Sequence, residues 1–120
     1  LEFRRVLFRS VSVDKIEPFV VSSKNALGYS YKFRGVRRNY TPDFRVSHNG
    51  QEFVVEVKSP YTAGLHGTIE GAWGLLKAKA RSVVKKGDKF VLLIFDHIRP
   101  DPIAWSVGPL TKSTLNWSTA

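Results

Sequence analysis

YTPDFRVSHNGQEFVVEVKS, residues Tyr40–Ser59, decides the fold. Asn49-Gly50 sits between two runs of alternating apolar residues, the strongest short hairpin signal a sequence carries. With Asn49 and Gly50 as the two turn residues, Val46 faces Phe53, Phe44 faces Val55 and Asp43 falls opposite Glu56. Lys58 lies two residues beyond Glu56 and projects from the same face. One face is expected to carry Asp43, Glu56 and Lys58. The other carries Phe44, Val46, Phe53, Val55 and Val57 and packs on the core. A one-residue slip would put Asp43 on the wrong face, so the tight turn matters.

Outward from this hairpin, Tyr29, Tyr31 and Phe33 alternate with Ser30, Lys32 and Arg34 as in a half-buried strand. Arg34-Gly35 offers a turn, and the basic stretch 36–39 leads into a strand over 40–46. Ile16 to Val21 reads as a short strand or an irregular start, and Pro60–Gly67 as a loop. Thr68 is placed to cap a helix from Ile69 to about Lys86. Its apolar stripe is Ile69, Ala72, Trp73, Leu76, Ala80, Val83 and Val84, with Gly87 as the stop. The apolar run after Lys89 (FVLLIF, Phe90–Phe95) reads as a buried strand parallel to Val54–Lys58 across the helix. A last strand over 103–107 is expected at the edge. The fold class is therefore α/β: a mixed sheet with an antiparallel hairpin, a crossover helix and a parallel buried strand.

The chain has 120 residues, enough for one domain, with no cysteine and three histidines (His48, His66, His97). Disulfides and thiolate metal sites are excluded, and a His-rich zinc site is disfavoured. The longest apolar run is too short to span a bilayer, so no membrane partner is expected. Lys and Arg outnumber Asp and Glu by 19 to 10, giving a formal net charge of +9. That balance favours an anionic partner, most commonly nucleic acid. The first ten residues, LEFRRVLFRS, lack an initial Met and fit neither a strand nor a helical stripe. They read as an adapter- or vector-derived leader over 1–10, with the natural start expected upstream. A single domain over 11–110 follows, then a polar tail over 111–120.

Two carboxylates in register repel, and a divalent cation resolves the conflict. Mg²⁺ takes one or two carboxylates and retains several waters. Asp43, Glu56 and the backbone carbonyl of Val57 are the candidate ligands, with Lys58 placed to orient or deprotonate a water or to stabilise charge on phosphorus. An ordinary solvated hairpin face, with weak surface pairs, is the alternative reading.

Pro42-Asp43 followed by Glu56-Val57-Lys58 resembles the signature of the PD-(D/E)XK nuclease superfamily. The longer stretch, Tyr40 to Val46 with Phe53 to Lys58, resembles the nuclease domains of TnsA-like transposon endonucleases and the C-terminal nuclease domain of type III restriction subunits. Asn25 to Tyr29 and Tyr31 to Gly35 resemble the lead-in strands of the latter, and the likeness covers about Ile16 to Phe95. It implies a restriction-endonuclease-like core and hydrolysis of DNA phosphodiester bonds with Mg²⁺ or Mn²⁺. In that family the Asp and Glu bind the metal and the Lys assists hydrolysis. Many members carry a further upstream acid, for which Glu17 and Asp14 are the candidates. The resemblance also implies a bacterial or phage-encoded, cytoplasmic protein, acting on double-stranded or branched DNA as a homodimer or within a larger multi-subunit complex.

Lys32, Arg34, Arg37 and Arg38 crowd the approach to Asp43. Lys77, Arg81 and Lys85 form an i, i+4 row on the polar helix face, joined by Lys79 and Lys86. Both sets are candidates for phosphate contacts, and His66 is a possible auxiliary in the loop after Lys58. Tyr40 has two readings, stacking on bases or packing in the core, and Trp73 reads as core. The runner-up function is an inactive nucleic-acid-binding module of the same fold; a structural or assembly protein is the third.

Overall fold

Residues 51–58 alternate apolar side chains over a strand that must pair on both edges. The computed structural model describes residues 15–18, 28–48, 51–65, 71–99, 101–108 and 110–117. The 1–10 leader, the Asn49-Gly50 turn, His66 and Thr68 lie outside the described residues. Strand β1 spans Lys15–Pro18, β2 Tyr29–Phe33, β3 Val36–Tyr40, β4 Phe44–His48 and β5 Gln51–Lys58. Helix α1 spans Ala72–Lys85, followed by β6 (Lys89–Ile94), β7 (Ala104–Val107) and β8 (Asn116–Trp117).

β4 and β5 are antiparallel, with Phe44 opposite Val55 and Val46 opposite Phe53. β5 and β6 are parallel, joined through α1, and β6 carries apolar side chains on both faces. The main sheet has the order β1-β4-β5-β6-β7-β8, and β2-β3 form a separate two-stranded ribbon. The continuous strand expected over 40–46 is instead broken between Tyr40 and Phe44. Pro42 has no N–H to give a ladder, and the chain leaves the ribbon there for the main sheet. At the ribbon's tip Arg34 (φ 52°) and Gly35 (φ 78°) make the left-handed two-residue turn that matches strand twist.

Each face of the sheet carries its own apolar cluster. Val46, Val55, Val91 and Leu93 are fully buried on one face, with Phe44, Phe53, Val57, Phe95 and Trp105 packed against them. On the other face Val54, Phe90, Leu92 and Ile94 meet Leu76, Ala80 and Val83 of the helix and Tyr29, Tyr31 and Tyr40 of the ribbon. Only the first face was expected to be the core. Glu56 therefore lies in a packed layer and is 5% exposed.

Three expectations at the periphery are corrected. The helix begins at Ala72 with Gly71 as its left-handed N-cap, later than Ile69, and Val84, placed on its apolar stripe, is 41% exposed. The strand at 104–107 is not an edge, because β8 pairs with it. The supposed polar tail packs through buried Leu115, after a Thr111–Thr114 capping box that opens a short 3-10 turn. Among the described residues no helix is long and apolar enough to cross a membrane.

Candidate active site

The end of the β4–β5 ladder builds the site. Asp43 is exposed and lies one residue before β4. Its Oδ2 accepts the backbone N–H of Val57 at 2.9 Å. In an extended strand the N–H and C=O of one residue point to the same side. The Val57 carbonyl therefore also points towards Asp43, while the Lys58 carbonyl points the other way and accepts Phe95 N–H at 2.9 Å. Continuing the register sets Val57 beside Pro42, which has no proton to donate to that carbonyl. The proline that ends the ladder thus leaves a carbonyl and a carboxylate side by side.

Glu56 occupies the helix-facing side. Its Oε1 accepts the Tyr40 hydroxyl at 2.7 Å, and its Oε2 lies 3.4 Å from Lys58 Nζ. Lys79 of α1 sits over the Tyr40 ring, 5.2 Å from its centroid. Burial pushes the Glu56 carboxyl above the usual carboxylate range. The negative charge of Asp43 adds to the push, while the Tyr40 hydrogen bond, Lys58 and Lys79 oppose it. Burial also lowers the Lys79 ammonium, with Lys58 and Arg38 pushing the same way against Glu56 and Asp43. The Tyr40 phenol is raised by burial and by the carboxylate it binds.

The next residues hold the wall of the site. Ser59 and Thr62 cap each other, Ser59 N–H to Thr62 Oγ1 at 2.8 Å and Thr62 N–H to Ser59 Oγ at 3.0 Å. Pro60 falls at the first position of the helical turn they open, where its missing N–H costs nothing. Residues 60–65, part of the stretch read as a loop, form consecutive hydrogen-bonded turns. Thr62 joins Arg34, Arg38, Lys58 and Lys79 around a cleft of about 320 Å³.

The basic residues named from the sequence divide among several places. Arg34 and Arg38 border this cleft. Lys32 and Arg37 are cross-strand partners, one position out of phase with the inward Tyr31–Arg38 pair. They lie on the ribbon's other face, where Arg37 donates to Ser30 Oγ at 2.8 Å. Arg81 and Lys85 border a different groove with Lys32, and a third beside Lys77, Val84 and Leu110. Two positions along a helix turn a side chain by roughly 200°, which separates Lys79 from Lys77 and Arg81. The side chain of Glu17 and all of Asp14 and His66 lie outside the described residues.

The sequence reading placed Lys79 with the outer basic row rather than beside Glu56, and it did not pair Tyr40 with Glu56. Lys79 had a signal. It follows Leu75 and Leu76 by four and three residues and precedes Val83 by four, so it interrupts the apolar stripe rather than extending the basic row. Tyr40 had none, because its partner is set by the ribbon folding back over β5.

Among the described residues no group of three or more His, Asp or Glu side chains converges on one point. The candidate donors, the Asp43 and Glu56 carboxylates and the Val57 carbonyl, all offer oxygen. That fits Mg²⁺ or Mn²⁺, which complete their shells with water, better than a metal needing a full cage of protein ligands. Comparisons with family models, with curated proteins and with solved structures each return no match to this chain.

Proposed function

We propose that the protein is a metal-dependent endonuclease of the PD-(D/E)XK type that hydrolyses DNA phosphodiester bonds. The observation that carries the reading is the ladder end. There Asp43 is held on the Val57 N–H, the Val57 carbonyl is turned to the same side, and the Glu56–Lys58 pair stands on the adjoining strand positions. Asp43, Glu56 and the Val57 carbonyl would hold Mg²⁺ or Mn²⁺. When bound, the ion polarises a phosphoryl oxygen and lowers the pKa of its water. Tyr40 orients the Glu56 carboxylate through its hydroxyl. Lys58 holds the attacking water or stabilises the charge that develops on the phosphate oxygens. Arg34, Arg38 and Lys79 offer the cations that seat the strand. Water adds across one P–O bond, leaving a phosphate monoester and a hydroxyl.

The test is cleavage of supercoiled DNA with Mg²⁺ or Mn²⁺ and with excess chelator. Chelator is expected to abolish nicking. Asp43→Ala, Glu56→Gln and Lys58→Ala are each expected to lower the rate by about 10²-fold or more. Equal nicking by all preparations would mean a contaminant and end the proposal. A second reading, an inactive nucleic-acid-binding module, has its own support: both Glu56 oxygens already have protein partners. Binding without turnover in either metal would select it.

A further inference from the structure

The cleft lined by Lys58 and Lys79 has a wall that phosphate contacts alone do not require. Arg34 takes a left-handed conformation, φ 52°, which Gly or Asn adopts more readily. Its guanidinium carbon lies 5.1 Å from the centroid of the Phe33 ring, a cation–π stack. This stack meets the first turns of α1 where the helix carries glycine. A Cβ on Gly71 would fall 2.7 Å from the Arg34 guanidinium, and one on Gly74 would fall 3.3 Å from the Phe33 ring. Two bare helix positions therefore make room for the stack. Leu75 and Leu76 add apolar surface to the same cleft, and Arg38, Lys58 and Lys79 add positive charge. Its volume, about 320 Å³, is at the small end of ligand pockets.

A stacking surface, an apolar lining and several cations in one small cleft suit a single unstacked nucleotide. Its base would lie on the Arg34–Phe33 stack and its phosphate on the cations. A base inside continuous duplex cannot use this wall, because both of its faces are already stacked. We propose that the cleft takes one unpaired nucleotide, so that the strand cut by this protein is presented at an end, a flap or a branch. The substrate class rests on the nuclease reading, since Lys58, the ion-pair partner of Glu56, lines the cleft; the binding step needs neither metal nor turnover.

The experiment is fluorescence anisotropy in chelator at fixed salt, with a labelled thymidylate oligomer of about twelve nucleotides. The competitors are unlabelled blunt duplex of the same length, dTMP and inorganic phosphate. The oligomer is expected to bind roughly tenfold tighter than the duplex, and dTMP to compete at roughly tenfold lower concentration than phosphate. Phe33→Leu keeps apolar volume and removes the aromatic face. It is expected to erase both differences while changing duplex binding less than about twofold. Arg34→Gln alters an exposed side chain, and it gives the same readout if the Phe33 variant does not fold. It is expected to weaken dTMP competition more than phosphate competition. Duplex binding as tight as the single strand, or phosphate competing as well as dTMP, overturns the pocket. The expected binding pattern without cleavage in Mg²⁺ would remove the nuclease reading and leave the nucleotide pocket in place.

Discussion

The two faces of β5 share one backbone and differ in what closes them. Phe53, Val55 and Val57 look onto hydrocarbon: Val46, Val91 and Leu93, with Phe44, Phe95 and Trp105 around them. Val54, Glu56 and Lys58 look towards α1 and the ribbon, where a carboxylate, a phenol and two ammonium groups stand among the apolar side chains. Burial on the first face stabilises the fold by the area removed from water. On the second face burial works against the group at its centre, because it disfavours the ionised Glu56. Tyr40, Lys58 and Lys79 offset part of that cost. Both faces thus hold the sheet by apolar packing, and among the described residues only the helix-facing one buries a carboxylate within it.

That contrast can be broken by substitution on either side. Leu93→Ala on the hydrocarbon face is expected to cost about 2–5 kcal/mol in denaturant unfolding; a loss under about 1 kcal/mol would mean that this face is loosely packed. Tyr40→Phe on the other face removes the donor to Glu56 Oε1 and is expected to cost about 1–3 kcal/mol at neutral pH.

Glu56→Gln is the sharper case: its stability is expected to stay within about 1 kcal/mol of the parent while nicking is lost. A large destabilisation would make Glu56 a structural charge. The pH dependence follows the same division. The raised Glu56 value means that the fold binds this proton more tightly than the unfolded chain does. Glu56 therefore lowers stability as pH rises from the ordinary carboxylate range through its folded value. Lys79 acts oppositely. With its value lowered, stability rises with pH through the alkaline window below the ordinary lysine value. Melting curves across pH are expected to lose the first slope in Glu56→Gln and keep the second; an unchanged acid-side slope would assign it to other groups. The smallest effect is expected at Ser106, whose buried Oγ has no hydrogen-bond partner among the described residues. Ser106→Ala should be neutral or slightly stabilising, within about 0.5 kcal/mol, because no bond is lost.

How much was legible depended on the range of the interaction. Phe44 opposite Val55 follows from two turn residues and a period of two, and the structure has that pair. The body of α1 follows from its stripe, but its start does not: Gly71 and Ala72 open the helix where periodicity alone ran on to Ile69. The β7–β8 pair was illegible because a two-residue strand has no period to read. At the site, the shared face of Glu56 and Lys58 was legible from register, and the two side chains lie 3.4 Å apart. The division of Arg34 and Arg38 from Lys32 and Arg37 was not legible, since a row of basic residues carries no mark of which face the ribbon turns inward.

By itself the sequence determined the hairpin register and the helix that follows it, because each depends on spacing along one or two adjacent segments. Only the tertiary structure decided what covers Glu56. The break at Pro42 lets the β2–β3 ribbon close over β5 and brings Tyr40 to the carboxylate, while α1 brings Lys79 from a distant part of the chain. Period tells which way a side chain points; what it meets there depends on contacts between segments far apart in the chain, and spacing does not encode them.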